Sequence, residues 1–167
     1  GMGKIGQAVA ERARGFGIRL AYANPVKIES DAVHLPLEEL LKTSDFISLH
    51  CPLNESTRAL ISEKELKMMK ETAILVNAAR GPVVDSEALL RALTQGWIAS
   101  AALDVTDPEP LPASNPLYGL QNCLIVPHIG SATHGARRRM AEIAAENLLA
   151  GLAGEKLPHC FNPEVYG

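Results

Sequence analysis

The sequence predicts an α/β fold built on a doubly wound parallel sheet. Two observations carry that prediction. Short, nearly continuous apolar runs alternate with amphipathic stretches along the chain, and a glycine-rich turn at its start runs straight into a helix. The opening "GMGKIGQAVAERARGFG" sets Gly1, Gly3 and Gly6 ahead of a helix whose apolar positions, Ile5, Val9, Ala13 and Phe16, keep helical spacing. The runs "GIRLAYA" (17–23), "DFISLH" (45–50), "TAILVNAA" (72–79), "IASAALDV" (98–105) and "NCLIVPH" (122–128) suit strands buried on both faces, and a further short strand is expected near Asp31–His34. Helices are expected between them. "PLEELLKTS" has a proline suited to a first turn, "SEKELKMMK" starts with a serine cap, and "DSEALLRALTQG" runs from an aspartate cap to a glycine stop. The stretch "SATHGARRRMAEIAAENLLAGLAG" predicts a long last helix, capped by Ser131 or Thr133 and ending near Gly151 or Gly154.

Composition narrows the function classes. The chain has 167 residues, 47% hydrophobic and 21% charged, which is ordinary for a folded domain with its own core. A net charge of −3 gives no electrostatic reason to expect nucleic acid or a membrane surface as partner. Three cysteines, Cys51, Cys123 and Cys160, stand far apart with no C-x-x-C pair, so reduced thiols and a cytoplasmic setting are expected and no metal site is.

The glycine spacing is G-x-G-x-x-G, the turn that lets backbone approach a pyrophosphate at a helix N-terminus. Alone it is weak; at the head of a helix that leads to a strand it predicts a Rossmann-type dinucleotide site. The residue that would meet the ribose is Asn24, in "YANPVK". An asparagine can hydrogen-bond a hydroxyl and carries no charge to repel a 2′-phosphate, and Lys27 lies close by, so NAD and NADP both stay open.

In open α/β sheets, ligands sit outside the carboxyl ends of the strands. Three such ends carry polar residues: Arg80 after "LVNAA", Asp104 in "AALDVTDPEP" with Glu109 beyond it, and His128 in "LIVPHIGSAT". Together they suit reduction of a 2-keto acid. An arginine offers a planar fork to a carboxylate, a histidine exchanges a proton near neutral pH, and a nearby carboxylate favours the imidazolium and orients the ring. Arg80, His128 and Glu109 are thus expected as substrate anchor, acid/base and orienter.

The motifs "GMGKIG", "SDFISLHCPLNESTRALI", "ILVNAARGPVVDSEAL", "AALDVTDPEPLP" and "VPHIGSAT", in this order, resemble the NAD-binding domain of the D-isomer-specific 2-hydroxyacid dehydrogenases, and most of all their glyoxylate/hydroxypyruvate reductase branch. The resemblance implies catalytic roles for Arg80, Glu109 and His128. It implies cofactor contacts at Gly1, Gly3, Lys4, Ile5, Gly6, Asn24, Cys51, Pro52, Thr57, Ala78, Ala79, Arg80, Asp104, His128 and Gly130. The departure is Asn24, where NAD-preferring members usually carry aspartate. "VPHIGSAT" lacks the glutamine before histidine that marks formate dehydrogenases. The resemblance further implies a dinucleotide-binding domain over 1–154 with a C-terminal tail over 155–167, a homodimer, and a small 2-keto or 2-hydroxy acid as partner. It also implies that a smaller substrate domain precedes this chain, together with a strand placed between those at 18–23 and 45–50. The apolar stretch around Trp97 and Leu111 to Leu120 is expected to contribute to pairing.

Other functions remain possible for such a sequence. Some family members act as dinucleotide-sensing corepressors, 3-phosphoglycerate dehydrogenase-type enzymes share the same motifs, and a non-catalytic fragment competent only for oligomerisation is a further alternative. Turnover on glyoxylate or hydroxypyruvate separates the reductase from the binding module.

Overall fold

In the computed structural model, which describes all 167 residues, every strand pair is parallel. The chain divides into two units, Gly1–His128 and Ile129–Gly167. In the first, helix α1 (Lys4–Arg14) leads to strands β1 (Ala21–Tyr22) and β2 (Val33–His34), which pair with each other. Then follow α2 (Leu37–Thr43), β3 (Phe46–Leu49), α3 (Glu63–Met68), β4 (Ile74–Asn77), α4 (Ser86–Gln95), β5 (Ser100–Leu103) and β6 (Cys123–Ile125). The last four strands form one sheet in the order β3-β4-β5-β6. No helix is long and apolar enough to cross a membrane.

The helix signals in the sequence act as caps. At α3 the Glu65 carboxylate accepts from the Ser62 backbone N–H at 3.1 Å and also holds the Ser62 hydroxyl. At α4 the Asp85 carboxylate accepts from Glu87 N at 3.0 Å and Ala88 N at 2.9 Å, and Gly96 ends the helix in the left-handed conformation at φ +72°. Pro36 differs from expectation by one place, standing as the N-cap of α2 rather than in its first turn.

One expectation about burial is corrected. The strands are buried on one face, not both: Ile47 and Leu49, Leu75 and Asn77, and Ala101 and Leu103 point into the core, whereas Phe46 on the opposite face is 64% exposed. The buried face packs against Leu41 of α2, Leu66 of α3 and Ala88, Leu89, Ala92 and Leu93 of α4, in one cluster. The apolar row of α1 also lies outside. Ile5 is 65% and Phe16 84% exposed, while the helix buries Gly6 and Ala10 beside Met2, Tyr22 and Ala32. Small residues win that face because the helix start crosses very close to the Gly1 carbonyl, where a Cβ on Gly6 would collide.

The run at 17–23 yields only two paired residues, since β1 has a single partner that is itself two residues long. Leu111 and Leu117 belong to the core cluster rather than to a free surface, and Trp97 packs against that cluster under the Lys67 ammonium. All three cysteines are free, and burial pushes the Cys123 thiol up to about 11, which leaves it protonated at neutral pH.

The second unit is built on α5 (His134–Leu152), whose first turn is capped by Thr133 accepting from Ala136 N at 3.1 Å. Its C-terminal segment is tied to the helix. The Asn147 amide accepts from His159 N at 3.0 Å and donates to His159 O at 3.2 Å, and His159 Nε2 meets Glu146 Oε2 at 2.6 Å.

Candidate functional site

Parallel strands end on a common edge, and in the first unit that edge gathers the polar residues singled out in the sequence. At its start, Gly1 sits between two strand ends. Its amino group donates to Ala23 O after β1 at 3.1 Å, and its Cα packs on the backbone of His50 and Cys51 after β3. Gly3 is the N-cap of α1 and offers no side chain to the first turn, and the space where a Cβ would stand on it is open. A helix start leaves its first N–H groups without intrahelical partners, and the open space beside Gly3 fits the approach of a pyrophosphate to them.

Asn24 holds this turn from below. Its Oδ1 accepts from the Met2 backbone N–H at 2.9 Å, and because that N–H can only donate, the amide nitrogen is the end left for other partners. Behind it, Asn24 O is contacted by His34 Nε2 at 3.0 Å, the His34 ring packs on Tyr22, and the Tyr22 hydroxyl accepts from Ile28 N at 3.0 Å and donates to Ile28 O at 2.9 Å. The segment 24–28 is thereby closed into a fixed loop.

After β3, Cys51 is half-buried and Pro52 is exposed ahead of a tight turn that starts at Asn54. Thr57 closes it, its hydroxyl donating to Pro52 O at 2.6 Å and accepting from Asn54 N at 2.8 Å. Just before that turn, burial holds the His50 imidazole below its ordinary range.

The remaining strand ends are linked by backbone rungs. Asp104 N donates to Asn77 O at 2.9 Å, and His128 N donates to Asp104 O at 3.0 Å, so the ends of β4, β5 and β6 stand side by side. Beyond β4, Ala78 is exposed, Ala79 is buried and Arg80 is exposed, its Nη1 donating to Ala79 O at 2.6 Å. Gly81 then touches the backbone of Thr106 and Asp107, which lead to Glu109.

His128 Nδ1 lies 2.6 Å from Glu109 Oε1, across 19 residues of sequence. The two side chains are therefore in contact. His128 also adopts φ +52°, a left-handed conformation unfavourable for a residue with a Cβ. Strain of that kind is kept where the surrounding structure imposes it, and here the His128 N–H is held by Asp104 O and by Val126 O, each at 3.0 Å. Arg80 reaches the same edge without touching the pair. Gly130 lies in the second unit.

The sequence reading missed Asn77. It is the one buried polar side chain of the core, and it holds the backbone of the Arg80 loop. Its signal was visible as an asparagine closing the apolar run "ILVN" where a hydrophobic residue would continue a strand.

Comparison with known proteins finds relatives along nearly the whole chain. A glyoxylate reductase of Korarchaeum cryptofilum is 51% identical over 170 residues, covering 99% of this chain and 51% of its own length. The TT0316 protein of Thermus thermophilus superposes with a TM-score of 0.92 at 53% identity, over 95% of this chain and 51% of that one. An NADPH-dependent glyoxylate/hydroxypyruvate reductase of Sinorhizobium meliloti, solved with NADP and malonate, superposes with a TM-score of 0.85 at 32% identity, over 90% of this chain and 47% of that one. The chain thus spans about half the length of the relatives it matches. Residues 1–130 match the NAD-binding domain of the D-isomer specific 2-hydroxyacid dehydrogenases, and the chain belongs to that family.

Proposed function

We propose that the full-length protein carrying this chain is a nicotinamide-dependent reductase of small 2-keto acids, with glyoxylate or hydroxypyruvate as substrate. The observation that carries the reading is the 2.6 Å Glu109–His128 contact on the sheet edge that also holds Arg80 and the glycine turn. The names of the similar reductases point to the same substrates.

A bound nicotinamide supplies the hydride. The chain's own residues do the rest. The first turn of α1, opened by Gly3, holds the pyrophosphate, while Asn24 and the 24–28 loop meet the ribose. The Arg80 guanidinium exchanges its bond to Ala79 O for the substrate carboxylate, which it grips through two parallel N–H groups. His128 donates a proton to the carbonyl oxygen as negative charge develops there, and takes it back in the reverse direction. Glu109 accepts from Nδ1, which fixes the ring and leaves Nε2 for the substrate.

Steady-state kinetics with glyoxylate and hydroxypyruvate test the reading. Turnover with either is expected, and Arg80→Ala should raise the keto-acid KM about 10- to 100-fold, the worth of a hydrogen bond to a charged group. No turnover, or an unchanged KM, sinks it.

Cofactor choice follows Asn24. Asn24→Asp keeps an acceptor for Met2 N and adds a negative charge at the ribose position. The kcat/KM for NADPH is expected to fall about tenfold or more relative to NADH, by repulsion of the 2′-phosphate. If both cofactors change equally, Asn24 does not meet the ribose.

A further inference from the structure

We propose that Asn77 is the positioning residue for the 2-keto acid carboxylate, acting through Arg80; the proposal rests on the reductase reading above. Asn77 is the last residue of β4 and is 1% exposed. Its side chain is turned onto the next three residues. Oδ1 accepts from Ala79 N at 3.1 Å and Nδ2 donates to Arg80 O at 3.0 Å, while its own carbonyl accepts from Asp104 N at 2.9 Å. One residue thus ties the Arg80 loop to the strand end beside His128.

The chemistry requires an amide. The loop presents a donor at Ala79 and an acceptor at Arg80, and a single planar side chain must serve both. A carboxylate would set a second oxygen against the Arg80 carbonyl, and a hydroxyl can reach only one of the two groups at these distances. An apolar residue would leave Ala79 N unpaired in a buried place, at the full desolvation penalty.

The clamp matters most when substrate is bound. Without substrate, Arg80 Nη1 satisfies Ala79 O. When the guanidinium turns to a carboxylate it gives up that bond, and the loop loses the tie made by its own side chain. Arg80 O then remains fixed by Asn77 Nδ2 and by Val83 N at 3.2 Å, and Ala79 N by Asn77 Oδ1 alone. Asn77 therefore keeps the guanidinium's base in place at the moment the fork must match a carboxylate, where a misplacement of about 1 Å is costly.

The test is steady-state kinetics of the full-length protein with glyoxylate, comparing Asn77→Ser with wild type in the native and the Arg80→Ala backgrounds. In the native background the glyoxylate KM is expected to rise about tenfold. In the Arg80→Ala background the same substitution is expected to change the glyoxylate KM by less than about twofold, because the group it positions is gone. Should Asn77→Ser fail to fold, Asn77→Asp keeps the acceptor for Ala79 N and is read by the same two comparisons. An unchanged KM in the native background, or an equal loss in both backgrounds, overturns the positioning role and reduces Asn77 to a structural residue. Wild-type protein that turns over no 2-keto acid overturns the reductase reading together with this one, whereas active wild type with indifferent Asn77 variants removes Asn77 alone.

Discussion

Gly81→Ala is expected to destabilise the first unit by about 3 kcal/mol, near the top of the usual range for overpacking. A Cβ on Gly81 would fall on the carbonyl of Thr106 and lie 2.7 Å from Asp107 N. Both obstacles are backbone, so no side-chain rotation relieves them and the two loops must part. For a domain of this size the melting temperature should fall by about 6–12 °C. The consequence reaches the site, because the parting loops are those that carry Arg80 and lead to Glu109. In the full-length protein, the keto-acid KM should therefore rise even at temperatures where the variant is fully folded. Gly119→Ala serves as the control, since a Cβ there meets nothing within 4 Å. Calorimetry giving equal melting temperatures for both variants would show that the Gly81 contact is not tight in solution.

The elements of this fold were legible in the sequence because caps and periodicity are local. Ser62, Asp85, Gly96 and Thr133 each act within a few residues, and each ends or starts its helix where the sequence places it. The apolar runs located β3 to β6 equally well. What the runs could not report was the partner. Ile5, Val9 and Phe16 keep helical spacing in the sequence, and α1 nevertheless turns its small residues inward, because close approach to Gly1 outweighs apolar area there. Likewise Phe46 continues a hydrophobic run but lies on the face that the helices of its unit leave uncovered. The site divides along the same line. Arg80 and His128 stand at strand ends, which pattern reading finds. Glu109 was offered as a partner for His128 by its chemistry, while the course of the proline-rich loop that brings the two together follows from no spacing rule. Asn77 escaped notice because its partners are backbone groups, which the sequence does not display.

His128→Ala should lower turnover by about 10²- to 10⁴-fold, the usual worth of a positioned acid/base, while dinucleotide binding stays within a fewfold of wild type. The separation is expected because the cradle for the dinucleotide is built by the glycine turn and α1, on other strand ends. Glu109→Gln tests the same unit more finely. It keeps the shape of the side chain and removes the charge beside Nδ1. The pair is 48% and 41% exposed, so solvent screens it, and its coupling is that of a surface pair, up to about 1 kcal/mol. The variant is therefore expected to lose up to about fivefold in kcat for reduction. An unchanged kcat would mean that Glu109 orients the ring without acting through its charge. Near-normal turnover of His128→Ala would assign the proton transfer to another group.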